Sequence, residues 1–369
     1  MKATFYVADS PDYLGNNIFT ASQFSNGLKN YFFLFVELRR QLAAQNITLD
    51  TQDITPVSEA DVVVSIDQIA FFQTYERRPG QRLYLIMNEP ATYFPDVWQP
   101  RNHALFDRVF TYDYTLTGPR YVHYDFALDL EGYQLFGDVS EAEFARRRPL
   151  LMLAGVVDFN PPKAGSNSLL YPRYQSLRWF GQHWPQRFDF FSRGIEEKVY
   201  RSFPGLGLMR KVLPKAITEK VAEVVATRRR HLINQICQGA VPPHGKLDFI
   251  RGYRFMLCYE NTAQPGYVSE KIFDCLFAGI VPVYLGDPNI SRLVPPACFI
   301  DRRAFSSDAA LADFLNQITY SGYCEYLQAT REFLTSNQMQ RLSAVVNAQQ
   351  MARTIVHDMG AIANVAIVS

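Results

Sequence analysis

The chain has 369 residues, more than one domain usually holds, so we expect two domains with separate cores. Hydrophobic residues make up 48% and charged residues 20% of it, a balance that excludes a disordered chain. The formal net charge of +1 creates no overall field that attracts nucleic acid, so we expect no nucleic-acid partner and only a local anion site.

The first 150 or so residues alternate between strand and helix patterns. A helix is predicted at Asn30 to Asn46, and strands are predicted at Lys2 to Ala8, Asp61 to Ile66, Arg82 to Met87 and Arg108 to Tyr112. Short apolar runs separated by helices are typical of a parallel sheet covered on both faces. We therefore predict a Rossmann-like α/β domain over residues 1–148.

A second α/β pattern begins near Pro149. The predicted elements are a strand at LLMLAGVV, a helix at Tyr171 to His183, and strands at Phe188 to Ser192, Tyr253 to Cys258 and Val281 to Leu285. The clearest helix lies between Ser269, a plausible N-cap, and Gly279, which suits a left-handed C-terminal position. We predict a second Rossmann-like domain over 149–340, with a cleft between the domains where ligands bind, and a helical tail over 341–369.

A basic stretch from Lys211 to Arg230 interrupts the second domain. It is either a solvated amphipathic helix or a contact with lipid headgroups or an anionic partner. We favour the solvated helix and keep a peripheral membrane contact through the insertion, about 205–235, as the alternative. The start of the chain predicts a strand rather than a signal peptide, and no apolar run is long enough for a membrane span. We expect a cytoplasmic protein, with the membrane alternative placing it at the inner face.

Several common catalytic patterns are missing from the sequence. No GxGxxG follows the first strand, and the P-loop-like run GAVPPHGK, from Gly239 to Lys246, has the wrong glycine spacing and two prolines. The six histidines form no HxxxH or HExxH pair, the five cysteines form no CxxC pair, and there is no DxD motif. A dehydrogenase is therefore disfavoured, and we predict neither a metal site nor an obligatory cofactor; a divalent cation is at most stimulatory.

The most informative run extends from Tyr253 to Asp287. A buried strand brings Glu260 and Asn261 to its carboxyl end, and a helix then opens at Ser269 with free N–H groups and a positive dipole end. Lys271 adds a full charge there, which predicts a phosphate site. Tyr267 is placed to stack on or bond a ring, and Glu270 to accept hydrogen bonds from hydroxyl groups. A diphosphate-linked small molecule is the indicated ligand.

This run closely resembles the donor-binding signature of the α-1,3/4-fucosyltransferases, glycosyltransferase family ten. The matching segments are Tyr259-Glu260-Asn261, Tyr267-Val268-Ser269-Glu270-Lys271 and Val281-Pro282-Val283-Tyr284-Leu285-Gly286. Further matches follow in order: Asn88-Glu89-Pro90, Phe106 to Tyr112, and an Arg-bearing helix leading into a strand over Tyr171 to Gly194. The resemblance covers about residues 1 to 340 and is strongest over 253 to 300.

The resemblance implies a GT-B architecture and an inverting transfer of L-fucose from GDP-β-L-fucose to an oligosaccharide or glycolipid acceptor, with an α-1,3 linkage and a bacterial surface glycan as the setting. It implies that Glu89 is the base, that Arg173 binds the diphosphate, and that Glu260, Asn261, Tyr267, Ser269, Glu270 and Lys271 hold the donor. The Arg-bearing helix aligns with that of the family only after a one-residue gap, so Arg178 is the alternative to Arg173 as the residue that binds the diphosphate. Glu89 is followed directly by Pro90, which departs from the usual family segment.

Three alternatives remain open from the residues themselves. Glu260 is as well explained by a structural role, accepting backbone N–H groups, as by a functional one. The predicted phosphate site does not identify the sugar of the donor as fucose, so a transferase of the same fold that uses another nucleotide sugar is the second alternative. A non-catalytic protein that binds a glycan or a nucleotide is the alternative from a different class.

Overall fold

The structure is a computed structural model, which describes residues 1–23, 32–130, 133–155, 157–241 and 245–368. The strands are β1 (Lys2–Tyr6), β2 (Thr48–Thr51), β3 (Val62–Ile66), β4 (Arg82–Met87), β5 (Arg108–Thr111), β6 (Tyr121–His123), β7 (Arg148–Leu153), β8 (Phe188–Phe191), β9 (Tyr253–Tyr259), β10 (Val281–Leu285) and β11 (Ile300–Asp301). The helices are α1 (Phe33–Ala43), α2 (Pro100–His103), α3 (Glu141–Arg146), α4 (Leu170–His183), α5 (Glu197–Arg201), α6 (Leu206–Val212), α7 (Lys215–Ile236), α8 (Lys246–Arg251), α9 (Glu270–Ala278), α10 (Asp308–Gln317), α11 (Tyr320–Leu334), α12 (Asn337–Gln340) and α13 (Ala344–Val368).

The chain divides into two compact units. Unit 1 consists of Met1–Tyr133, Gln264–Tyr267 and Ser336–Ser369, and unit 2 of Gln134–Ala263 and Val268–Thr335. This division differs from the predicted boundaries at three places, one of which is the segment Gln264–Tyr267, which lies within the predicted second domain but belongs to unit 1. The chain passes into unit 2 at residue 134 rather than near 149, and the C-terminal segment that we predicted as a separate tail is part of unit 1.

Unit 1 is built on a six-stranded, fully parallel sheet with the strand order β2-β1-β3-β4-β5-β6. Successive side chains of a strand point to opposite faces, so a strand buried on both sides contributes to two cores. In β4, Tyr84 and Ile86 belong to one apolar cluster, whereas Leu83, Leu85 and Met87 belong to the other. This two-sided burial is what the apolar runs of the first 150 residues predict.

Helix α13 closes one face of the unit 1 sheet. Ala348, Met351 and Ile355, spaced as one face of a helix, are buried in the same cluster as Leu38 of α1. The carboxylate of Asp358 binds the guanidinium of Arg108 on β5, with an N–O distance of 2.9 Å. The last helix is therefore a layer of unit 1, and residues far apart in the sequence build this core.

Unit 2 is built on a five-stranded parallel sheet with the order β11-β10-β9-β7-β8. The central strand β9 is almost entirely buried, and α9 connects it to its parallel neighbour β10. Helix α9 ends at Gly279, whose φ of 68° is left-handed, as the sequence predicts. The predicted strand–loop–helix–strand unit at the centre of the signature is confirmed.

The predicted elements differ from the observed ones mainly at their ends. Strand β1 ends at Tyr6, two residues before the predicted end, and the predicted helix from Asn30 begins at Phe33; residues 24–31 lie outside the described residues. Among the described residues, no helix has both the length and the apolar character needed to cross a bilayer. The cytoplasmic location stays a prediction.

Candidate functional site

The start of α9 is held by a fully buried carboxylate. Glu260, the first residue after β9, is 0% exposed. Its Oε1 accepts a hydrogen bond from the backbone N–H of Ser269 at 2.9 Å, and its Oε2 accepts one from the Ser269 hydroxyl at 2.7 Å. The ammonium of Lys271 donates to the same Oε2 at 3.2 Å and to the Ser269 hydroxyl oxygen at 2.7 Å. Glu260 thus fixes both residues that open the helix.

This arrangement requires a residue without a side chain on the neighbouring strand end. A Cβ atom at Gly286, just after β10, would lie 2.2 Å from the hydroxyl oxygen of Tyr284 and 2.6 Å from Cγ of Glu260. Non-bonded atoms cannot approach so closely unless one of them is displaced. The glycine that ends the third signature segment therefore makes room for the Glu260 side chain.

Two carboxylates raise the pKa of Lys271. Burial lowers the pKa of this ammonium, but the nearby Glu260 and Glu270 outweigh burial and raise it. Burial raises the pKa of Glu270, but Lys271 and Lys246 outweigh it and lower that pKa to about 2. Lys271 is therefore a stable cation, and with 21% of its side chain exposed it can still meet a ligand.

The Ser269 hydroxyl does not cap α9. Ser269 occupies the N-cap position, but its side chain forms no capping bond to the helix because the hydroxyl is bound to Glu260 and Lys271. The first N–H groups of a helix have no partner within that helix. An N-cap side chain that is bound elsewhere leaves them to a ligand or to solvent, which favours an anion at this helix start.

Arg173 lies beside this cluster. The side chain is 3% exposed, and its Nη2 donates to the backbone carbonyl of Tyr259 at 2.6 Å and to Oδ1 of Asn261 at 2.9 Å. The positive charge of Arg173 repels that of Lys271 and therefore lowers the pKa of the Lys271 ammonium. Two cations that repel each other next to an open helix start favour the binding of an anion between them.

Arg178, the predicted rival, lies elsewhere on α4. It is exposed and lines a cavity of about 700 Å³ together with Tyr174, Trp179, Arg302 and Ser307. Neither Arg173 nor Lys271 lines that cavity. Tyr259 and Leu285 of the signature line the same cavity, so Arg178 lies beside the signature. Arg173 bonds to Tyr259 and Asn261 directly, and which arginine binds the diphosphate stays a prediction.

The turn between the two halves of the signature belongs to unit 1. Gly266 has a φ of +74°, and a Cβ there would lie 2.0 Å from the backbone oxygen of Tyr112. Tyr267 is 8% exposed and its ring is tilted against that of Tyr112, with centroids 5.6 Å apart. The ring of Tyr267 is thus part of the unit 1 core, and its stacking on a ligand stays a prediction.

Glu89 follows β4 in unit 1 and is half-buried. Its backbone is fixed on both sides: the N–H donates to Oδ2 of Asp67 at 3.0 Å, and the carbonyl accepts from the indole N–H of Trp98 at 3.0 Å. Oδ1 of Asp67 accepts the N–H of Asn88 at 2.9 Å. The carboxylate-bearing segment is therefore rigid, although its role as a base stays a prediction.

Asp67 is the residue that the sequence reasoning missed. It is 6% exposed and has a φ of 52°, which is unusual for a residue other than glycine. Burial raises the pKa of its carboxyl well above the ordinary value, and Glu89 raises it further, although the two backbone N–H bonds oppose this. Asp67 directly follows β3, the neighbour of β4. Because the carboxyl ends of parallel strands meet at one edge of a sheet, its position after a predicted strand was the signal that could have found it.

The P-loop-like run has a structural use. Lys246, its last residue, binds the carboxylate of Asp274 on α9, which joins α8 to the helix of the signature; residues 242–244 lie outside the described residues. In the part of the chain that the structure describes, no three His, Cys, Asp or Glu side chains come together as metal ligands.

Comparison with family models identifies what the C-terminal part of the chain resembles. The model of the C-terminal part of glycosyltransferase family 10, the fucosyltransferases, matches residues 230–358, a range that contains β9, α9, β10 and the Glu260–Lys271 cluster. Over this range the chain is similar to glycosyltransferase family 10. The resemblance stated from the motifs is confirmed.

Relatives in this family match the chain over short stretches. The α-(1,3)-fucosyltransferase FucT of Helicobacter pylori is 34% identical over 73 residues, which is 20% of this chain and 15% of that protein. The α-(1,4)-fucosyltransferase of Arabidopsis thaliana is 41% identical over 76 residues, 19% of each chain. Human α-(1,3)-fucosyltransferase 4 is 35% identical over 104 residues, 26% of this chain and 20% of that protein. The chain thus matches a fifth or less of the length of these three relatives.

Solved structures agree on the fold over nearly the whole chain. An α1,3-fucosyltransferase crystallised with GDP superposes with a TM-score of 0.50 at 16% identity, covering 97% of this chain and 89% of the other. The Anabaena protein HepE in complex with UDP-glucose gives a TM-score of 0.54 at 11% identity, covering 97% and 100%. At such identities the likeness concerns the fold alone. Together with two parallel-sheet α/β units, it confirms the predicted GT-B fold class.

Proposed function

We propose that this protein is an inverting glycosyltransferase, which moves L-fucose from GDP-β-L-fucose to a hydroxyl group of a glycan acceptor in an α-1,3 linkage. The observation that carries the proposal is the family 10 match over residues 230–358, because it contains the one cluster that joins Glu260, Ser269 and Lys271 at a helix start. The acceptor is an oligosaccharide or a glycolipid.

The donor diphosphate binds at the start of α9. An ammonium has three N–H donors, and two of those of Lys271 are used by Glu260 and Ser269, so one remains for a phosphate oxygen. Arg173 and the positive end of the α9 dipole supply the remaining positive potential. These groups are fixed before the ligand arrives, which is the condition under which they stabilise negative charge that develops in a transition state.

The sugar transfer is a single displacement at the anomeric carbon. The acceptor oxygen forms a bond to this carbon while the bond from the carbon to the β-phosphate oxygen breaks, and the electron pair of that bond leaves with GDP. The proton of the acceptor hydroxyl passes to the carboxylate of Glu89. A positioned base of this kind contributes about 10²- to 10⁴-fold to the rate, and the contacts of its backbone with Asp67 and Trp98 hold it in place.

The proposed reaction has no obligatory metal. Lys271, Arg173 and the helix start take the part that a divalent cation plays beside a diphosphate in other transferases. A divalent cation would then be at most stimulatory. Titration of the enzyme with a chelator tests this, since activity that disappears on chelation and returns with Mg²⁺ or Mn²⁺ would refute it.

A panel of nucleotide sugars tests the donor. A ligand present at 100 times its dissociation constant stabilises a protein by about 2.7 kcal/mol, so GDP-fucose should raise the melting temperature above the values with GDP-mannose, UDP-glucose and UDP-galactose. Incubation of GDP-fucose with an oligosaccharide array, followed by NMR of the product, reads the linkage. Stronger stabilisation by another nucleotide sugar would show a different donor, and binding without transfer to any glycan would show a binding protein.

A further inference from the structure

The helices α6 and α7 carry an unusual concentration of exposed apolar side chains. Eleven large hydrophobic residues are exposed among the described residues of the whole chain, and five of them lie within one stretch of α6, α7 and the link between them. These are Leu208 (67% exposed), Val212 (69%), Leu213 (39%), Ile217 (50%) and Val224 (49%). Single exposed apolar residues are ordinary, but a group of this kind indicates an interaction surface.

Helix α7 presents two opposite faces. Thr218, Ala222, Ala226 and Ile233 are buried and hold one face against unit 2. Successive side chains of a helix differ in direction by about 100°, so Ile217 and Val224 point away from the buried face. Lys220 lies between these two residues on the same side, and Arg228 lies one turn after Val224. All four are exposed. The apolar and basic residues therefore share one outward face.

Lys220 and Arg228, the cations on this face, have no acidic partner among the described residues. The two acidic residues of α7 are already engaged: Glu219 pairs with Arg201 and Arg210, and Glu223 pairs with Arg201 and Arg230. Within the described ranges, no ion pair is formed by four exposed cations of these helices and their link, namely Lys211, Lys215, Lys220 and Arg228. The outward face is thus apolar and positively charged at once.

We propose that the outward face of α7, defined by Ile217, Lys220, Val224 and Arg228, is a docking face for the surface of a bilayer that contains anionic lipids. Cores of protein interfaces are depleted in lysine, whereas here Lys220 lies between the two apolar residues. At a bilayer surface the same mixture is favourable, because lysine stems lie along apolar neighbours while the ammonium reaches the headgroups. The 22 residues of α7 span about 33 Å, and because the apolar and basic residues share one side of the helix, the proposed docking places this side along the surface.

Vesicle co-sedimentation of the full chain tests this proposal. We expect binding to vesicles of equal parts phosphatidylcholine and phosphatidylglycerol, and little binding to vesicles of phosphatidylcholine alone. The variant Ile217→Ser/Lys220→Glu should reduce binding to the anionic vesicles by about tenfold or more, because each basic residue near an anionic surface contributes several-fold to the affinity. The same binding should weaken at high salt.

A matched variant controls for general changes of surface charge and hydrophobicity. Ile54→Ser/Arg101→Glu removes an isoleucine with 49% exposure, against 50% for Ile217, and reverses one exposed cation in unit 1. It should leave vesicle binding unchanged. Equal loss in both variants, equal binding to neutral vesicles, or no binding at all would overturn the proposal. So would self-association of the wild type in sedimentation velocity that disappears in Ile217→Ser/Lys220→Glu, since the face would then bind a second copy of the chain.

Discussion

The pair formed by Glu260 and Lys271 combines a structural and a ligand-binding role in one ion pair, and two substitutions separate them. Glu260→Gln keeps the size of the buried side chain and removes its charge. Lys271→Met keeps an extended stem and removes the ammonium. Because Glu260 is 0% exposed while Lys271 is 21% exposed, Glu260 is expected to act on the protein alone, whereas Lys271 also reaches the ligand.

The structure sets the size of both effects. Removing one partner of a fully buried ion pair costs about 3 to 5 kcal/mol. Here the exposed part of Lys271 and the remaining bonds of Ser269 reduce the loss to about 2 kcal/mol for either variant, or about 4 to 8 °C in the melting temperature of a unit of this size. Loss of one hydrogen bond from a charged donor weakens GDP binding by about 10- to 100-fold, and we expect this in Lys271→Met only.

Thermal unfolding and isothermal titration with GDP measure the two quantities on the same samples. The double variant should be less destabilised than the sum of the single ones, with a coupling of about 1 to 2 kcal/mol, as for residues in direct contact. GDP affinity in Glu260→Gln should stay within about threefold of the wild type, on the same scale of charged hydrogen bonds. Equal weakening of GDP binding in both single variants would refute the separation of roles, and an unchanged affinity in Lys271→Met would refute the phosphate site.

Three further predictions concern other residues. Gly266→Ala should prevent stable folding of unit 1, because the added Cβ would lie 2.0 Å from the backbone oxygen of Tyr112. The control Gly80→Ala has a similar φ of +78° but no atom within 4 Å of the added Cβ. It should lower the free energy of unfolding, measured by chemical denaturation, by only about 1 to 2 kcal/mol. The pKa of Glu270 is lowered to about 2 from 4.5, so its charge stabilises the folded state above pH 4.5; the stability advantage of the wild type over Glu270→Gln should shrink as the pH falls from 4.5 towards 2. The raised pKa of Asp67 has the opposite sign: the wild type should lose stability relative to Asp67→Asn as the pH rises above 3.8, the ordinary value, and equal slopes for the two proteins would contradict this.

The parallel-sheet core could be predicted from the sequence because each central strand is an apolar run. The segments at β3, β4, β9 and β10 have this pattern, and the structure places each within one residue of its expected ends. Strands β2, β6 and β11 were not predicted, since they have only four, three and two residues and each lies at the edge of its sheet. An edge strand is defined by its neighbour rather than by its own pattern.

The division into units was harder to predict because it depends on contacts that are distant in the sequence. The predicted tail joins unit 1 through pairs such as Asp358 with Arg108, which are 250 residues apart. The turn of Gln264–Tyr267 belongs to unit 1 although both of its flanks belong to unit 2. No local pattern distinguishes such a turn from an ordinary loop.

The helix start at the candidate site could be predicted because one short segment holds several of its residues, whereas the roles of these residues stay predictions. Ser269, Glu270 and Lys271 follow each other, so the charge at the helix start could be inferred from the sequence alone. The structure adds the direction of the Glu260 carboxylate, which turns inward to fix Ser269 and Lys271 and supports the structural alternative for this residue. The Arg173 bond to Asn261 joins helix α4 to a strand end 88 residues away, a contact that requires the fold.

The transfer of fucose by a base in unit 1 to an acceptor is tested most directly with Glu89→Gln. Titration calorimetry with GDP-fucose and a fucosyl-transfer assay on an oligosaccharide array should be run on this variant, on the wild type and on Glu76→Gln, a control at an exposed position of the same unit. We predict an unchanged GDP-fucose affinity and a transfer rate lower by about 10²- to 10⁴-fold in Glu89→Gln, with Glu76→Gln equal to the wild type. Normal transfer by Glu89→Gln would contradict the account, as would the absence of GDP-fucose binding and transfer in the wild type.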